Sequence, residues 1–199
     1  MDSHLLAAVV VAAAYLIGSV PFGVLLARRR GVDIQQVGSG NIGAANVARS
    51  VGRKLGLLVL VFDALKGALP VAAVLLLDLD QRVDPFVLTA AGMAAVLGHC
   101  FSPWLGFRGG KGVATSLGVF LVAAPAESGL IIAVFSAVYA LSRIVSLGSM
   151  IAALALPVLL LASGGSAAVV TLAIAVAVLI VIKHRANIAR LIRGEENKI

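Results

Sequence analysis

The chain is short of nearly everything that would hold a soluble domain of its size in water. Of its 199 residues only 13% are charged and 5% aromatic, and Cys100 is its one cysteine. A single cysteine excludes an internal disulfide framework, and no paired Cys/His spacing offers a zinc set, so no metal and no cofactor are expected. Acidic charge is scarce: nine Asp and Glu stand against sixteen Lys and Arg, for a net charge of +7. No aromatic-rich basic stripe argues for nucleic acid as a partner. What the chain has instead is hydrocarbon, at 61% hydrophobic residues and a mean hydropathy of +1.09. A soluble fold could not bury that share, so the composition implies an all-α integral membrane protein in contact with the lipid bilayer.

Hydropathy predicts about seven transmembrane helices, at roughly 4–27, 54–77, 85–104, 112–124, 128–142, 144–162 and 166–184. The fourth and fifth are short for a bilayer core of about 30 Å, which leaves tilt, a place partly within the bundle, or a re-entrant path that would give five spans. Pro125 separates that pair, and Ser163-Gly164-Gly165 separates the last two. The N-terminus lacks a basic leader region, and Arg28, Arg29 and Arg30 follow the first apolar run. That run should therefore remain as an anchor with its start outside. Seven spans then place Arg49, Arg53, Lys54, Arg108, Lys111, Arg143 and the basic tail on one side, with a cytoplasmic C-terminus. Asp2, Asp78, Asp80, Asp84 and Glu127 mark the other, and only Arg82 breaks the pattern. No linker or internal repeat appears, so residues 1–199 read as a single polytopic domain.

Two glycine-rich cationic loops fall on the predicted cytoplasmic side. The first, Gly38-Ser39-Gly40-Asn41-Ile42-Gly43, is followed by Asn46 and Arg49. It contains a literal G-x-G-x-x-G, but a membrane span precedes it, so the dinucleotide reading is rejected. Bare amides, the polar side chains of Ser39, Asn41 and Asn46, and a guanidinium able to clamp two oxygens suit phosphate. A solvated turn with orienting charges is the bland alternative. The second loop, Arg108-Gly109-Gly110-Lys111-Gly112, is no Walker A motif, since Gly112 stands where Ser or Thr would hold magnesium. Its glycines run straight into a helix start, where amides and dipole favour an anion, and Lys111 adds a point charge. A flexible hinge is the competing reading.

His99 sits about one turn before the end of its helix, where it can accept a proton or serve as a structural side chain. Asp63 and Lys66 lie three apart on one helix face, and an internal ion pair explains them at least as well as ligand contact. In the tail, His184, Asn187 and Leu191 share a face if the last helix continues into water. Attraction of that basic stripe to anionic lipid is the simple reading there. Ser146 and Ser149 open the sixth helix and are packing residues unless Ser149 faces the same cavity.

These blocks together resemble the bacterial acyl-phosphate:glycerol-3-phosphate acyltransferases, small polytopic enzymes of phospholipid synthesis. The match is carried by GSGNIGAANVAR at 38–49, GHCFSPWLGFRGGKGVAT at 98–115 and HRANIARLIRGEE at 184–196, with DALKG at 63–67 and SLGS at 146–149. The family more often has Thr where Ala45 stands, and Pro directly after the aromatic where Ser102 precedes Pro103.

The resemblance implies transfer of a fatty acyl group from acyl phosphate to the 1-hydroxyl of glycerol 3-phosphate, at the cytoplasmic face of the bacterial inner membrane. Acyl-CoA and acyl carrier protein would not be donors, and no His-x-x-x-x-Asp follows any histidine. Ser39, Asn41, Asn46 and Arg49 would hold one phosphate. Lys111 with the Gly109 and Gly110 amides would hold the other, with His184, Asn187 and Glu196 closing the site. The family pattern favours the Lys111 loop for acyl phosphate. His99 or a substrate phosphate would take the proton. A small organophosphate transporter is the rival reading, and the sequence leaves open whether a soluble acyl-phosphate-producing enzyme docks on the basic face.

Overall fold

The computed structural model describes residues 3–77 and 86–198. Among them every regular element is helical. The helices are α1 (Ser3–Ser19), α2 (Phe22–Arg28), α3 (Ala44–Ser50), α4 (Arg53–Leu76), α5 (Val87–Cys100), α6 (Val113–Ala123), α7 (Pro125–Ser142), α8 (Val145–Ala162), α9 (Ala167–Lys183) and α10 (Arg185–Ile192). Among the described residues five segments are long and apolar enough to span a bilayer: His4–Arg28, Arg53–Leu76, Val87–Leu105, Pro125–Ser142 and Val145–Ala162. The bent pair α9–α10 makes a sixth, and α6 is a shorter apolar helix of 11 residues. The seven predicted segments are thus all helices, though they do not form seven equal spans. Asp2, Asp78, Asp80, Arg82 and Asp84, on which the predicted orientation partly leans, lie outside the described residues.

Packing divides the chain into two compact units, 1–122 and 123–199. In unit 1, α1 crosses α5 where small residues let the backbones meet: a Cβ on Gly18 would strike the Ala95 backbone, and one on Gly98 would strike the backbone of Tyr15. The α4–α6 crossing uses Gly67 against Thr115 and Gly118 against Ala64 in the same way. The first predicted helix is broken between Ser19 and Phe22, because Pro21 offers no amide and cannot continue the ladder. The carbonyls at the break find other donors. Ser102 Oγ donates to Ser19 O at 2.7 Å and Lys66 Nζ to Val20 O at 2.8 Å. Indole Nε1 of Trp104 donates to Ser19 Oγ at 2.9 Å.

Unit 2 holds α7 to α10. Pro125 begins α7 three residues earlier than predicted, since a proline at the first helical position costs no hydrogen bond. Leu141, 90% exposed, and Val158, 64% exposed, suit hydrocarbon rather than water as their solvent. The tail does not extend α9. The chain turns by 59° at His184 before α10 begins, so the predicted continuous helix is two.

Candidate active site

The first glycine loop is built around one buried amide. Asn46, 2% exposed, reaches back from the first turns of α3 into the loop that precedes it. Its Oδ1 accepts from the Ser39 amide at 2.9 Å, and its Nδ2 lies 3.0 Å from the carbonyls of both Val37 and Asn41. Asn46 was expected to touch phosphate; in the structure its polar atoms bond the loop itself and so shape it. Gly38 (φ 59°) must be glycine both for its left-handed backbone and because a Cβ would overlap Asn46 Oδ1. Asn41 Oδ1 accepts from the Gly43 amide at 2.9 Å. Residues 44–50, expected as loop, form α3. The side chains left on the outside are Ser39 and Arg49, both exposed.

The second loop lies at the same end of unit 1. Leu105 packs against the apolar cluster formed by Val24, Ala27, Ile34, Ile42, Val47 and Val59, which underlies the first loop. The Gly109 amide donates to Cys100 O at 3.2 Å and the Gly110 amide to His99 O at 3.0 Å. These two amides were expected to bind phosphate. They are instead spent on the end of α5, because four of its terminal carbonyls lack helical donors. Their glycines serve close approach, since a Cβ on Gly109 would overlap His99 O and one on Gly110 would overlap His99 Nε2. Lys111, half-buried, follows at the mouth of α6.

Asp63, Lys66 and His99 form a connected buried group, which spacing in the sequence did not reveal. Lys66 Nζ lies 2.7 Å from Asp63 Oδ1, and the same oxygen lies 3.7 Å from His99 Nδ1. That Asp63 and Lys66 stand three apart on one face of α4 was legible; that α5 would carry His99 against the same carboxylate was a tertiary fact.

In unit 2 the tail folds back as a latch. Glu196 accepts from Ser146 Oγ at 3.1 Å, Asn187 Nδ2 at 2.7 Å and Arg190 Nε at 2.8 Å. Burial pushes its carboxyl up, but the bonds from Arg190, Asn187 and Ser146 outweigh this and hold it below the ordinary glutamate value. Glu196 therefore braces Asn187. His184 Nδ1 lies 2.8 Å from Ile180 O. A carbonyl only accepts, so Nδ1 carries a hydrogen. Ser149 Oγ donates to its own helix at Val145 O, 2.8 Å away, as a packing residue does.

Comparison with known proteins agrees with the pattern of these blocks. Residues 8–194 match the family model described as glycerol-3-phosphate acyltransferase. The chain belongs to that family. It is 47% identical over 190 residues to the glycerol-3-phosphate acyltransferase of Geobacter sulfurreducens, covering 96% of each chain. It is 48% identical to that of Anaeromyxobacter dehalogenans, covering the whole of both. Among solved structures it resembles PlsY, an integral membrane glycerol 3-phosphate acyltransferase, in its glycerol 3-phosphate form. That likeness has a TM-score of 0.91 and 39% identity over 97% of this chain and 95% of the other. The lysophosphatidic acid form of PlsY gives a TM-score of 0.88. By family and fold the chain is an integral membrane acyltransferase.

Proposed function

We propose that the protein transfers a fatty acyl group from acyl phosphate to the 1-hydroxyl of sn-glycerol 3-phosphate, as the first acylation of phospholipid synthesis. Lysophosphatidic acid and inorganic phosphate are the products. The hydroxyl oxygen attacks the acyl carbon, the bond from that carbon to the phosphate oxygen breaks, and phosphate leaves with the electron pair. Acyl phosphate is already activated, so the protein's task is alignment and charge stabilisation. His99 takes the hydroxyl proton; the phosphate dianion, with a second pKa near about 6, is the alternative acceptor.

The observation that carries this reading is the shared cluster under Leu105, Ile34, Ile42 and Val47, which brings two loops bearing fixed positive charge to one end of unit 1. Both substrates carry phosphate. Ser39, Asn41 and Arg49 are assigned to one phosphate and Lys111, favoured for acyl phosphate, to the other. Asn46, Gly109 and Gly110 support them from behind. His184 and Asn187 also contact substrate, braced by Glu196 and the Ser146–Ser149 helix start. The whole chain acts as one domain, in the bacterial inner membrane with these loops cytoplasmic.

The test is purified protein incubated with palmitoyl phosphate and glycerol 3-phosphate, following released phosphate and the new ester by mass spectrometry. Palmitoyl-CoA in a parallel reaction should give no ester. Ester from palmitoyl-CoA at a comparable rate would remove the donor assignment.

A further inference from the structure

Lys66 has a sufficient structural explanation. Its ammonium, 2% exposed, bonds Val20 O in the α1–α2 break, pairs with Asp63 and lies 5.7 Å from the Phe22 ring centre. Asp63 is not explained by that role alone. It supplies the counter-charge a buried ammonium needs, and it has a second neighbour besides. The same carboxylate oxygen faces His99 Nδ1 at 3.7 Å. That separation exceeds a hydrogen bond, yet a carboxylate there repels a lone pair and attracts an N–H. The opposite edge of the ring abuts Gly110, where a Cβ would overlap Nε2, Cε1 and Cδ2. His99 is therefore held between a buried anion and the glycine loop.

We infer that Asp63 is a positioning residue that fixes His99 as its Nδ1–H tautomer. Nε2 is then the lone-pair nitrogen on the side of the Gly109-Gly110-Lys111 turn, the form a proton acceptor requires. Lys66 balances the Asp63 charge, so the ring need not be cationic to be held. The inference deepens the proposed reaction and rests on the assignment of that turn to the site.

The experiment is nitrogen NMR of the full chain in detergent with ¹⁵N-labelled histidine, at a pH where the rings are neutral. His99→Gln assigns the His99 signals among the three histidines. The expected result is a hydrogen on Nδ1 in the unmodified protein. Asp63→Asn, and Asp63→Asn with Lys66→Met to avoid an unbalanced ammonium, should shift the hydrogen toward Nε2. In the same proteins kcat should fall at least about tenfold while KM for glycerol 3-phosphate stays within about threefold. A hydrogen on Nε2 in the unmodified protein overturns the inference even if neither variant folds. An unchanged tautomer in a folded variant does the same, as does a raised KM at constant kcat. Absence of ester from the unmodified protein would sink the proposed reaction instead, leaving the tautomer measurement to decide the Asp63–His99 relationship by itself.

Discussion

Gly110 and His99 occupy each other's space: the ring nitrogen Nε2 fills the position a side chain on Gly110 would need. The loop can lie against the ring only while residue 110 is glycine. Gly110→Ala should therefore displace the turn by about 1 Å and lower kcat/KM by up to about 10²-fold, the loss that a misplacement of that size can bring. Gly129→Ala, in α7 where a Cβ would meet open space, should leave activity unchanged. Equal effects in the two variants would show that the overlap at Gly110 is relieved without consequence.

Asn46 supports the first loop through both ends of its amide. Asn46→Ala leaves the Ser39 amide and the carbonyls of Ile34, Val37 and Asn41 without this partner, so it should destabilise the protein by about 1–3 kcal/mol. Asn46→Asp keeps the acceptor and loses the donors, so it should rescue little. Thermal unfolding in detergent, read alongside activity, checks both. A variant of normal stability that had lost activity would instead return Asn46 to direct phosphate binding.

The Glu196 latch should open in acid. Its folded pKa lies below the ordinary value, so its contribution is fully present above the unfolded value of about 4.3 and is lost as pH falls through the folded one. Hydrogen exchange in residues 185–198 should be slow at pH 7 and rise, after correction for intrinsic rate, below about pH 4. Glu196→Gln should show the faster exchange already at pH 7. Protection in that variant equal to the unmodified chain would mean that the carboxylate charge is dispensable.

His184 offers a test of which ring nitrogen matters. Asn places an amide nitrogen near the Nδ1 position, and so keeps the bond to Ile180 O; Gln reaches toward Nε2. His184→Asn should fold normally and lose most activity, while His184→Gln should retain more. The reverse order would assign the residue to packing of the α9–α10 bend.

The membrane class, the helices and both glycine loops were legible because they are written locally, in hydropathy, proline and glycine placement, and charge. The role of individual polar residues was not. Gly109 and Gly110 read as bare amides, yet α5 ends beside them with carbonyls needing donors. Residues 44–50 read as loop because Ala-Ala-Asn-Val-Ala carries no amphipathic stripe long enough to signal a helix. The bend at His184 has no proline or glycine to announce it.

Composition and the order of the blocks by themselves determined that this chain lives in lipid, is helical, and carries two cationic glycine loops of an acyltransferase family. They could do so because transfer to hydrocarbon is a sum over residues and needs no knowledge of neighbours. Only the tertiary structure decided that Asp63 meets His99, that Asn46 ties the first loop together, and that Glu196 holds the tail. Those facts depend on which buried polar atom reaches which partner first, and a hydrogen bond is satisfied across space, not along the chain.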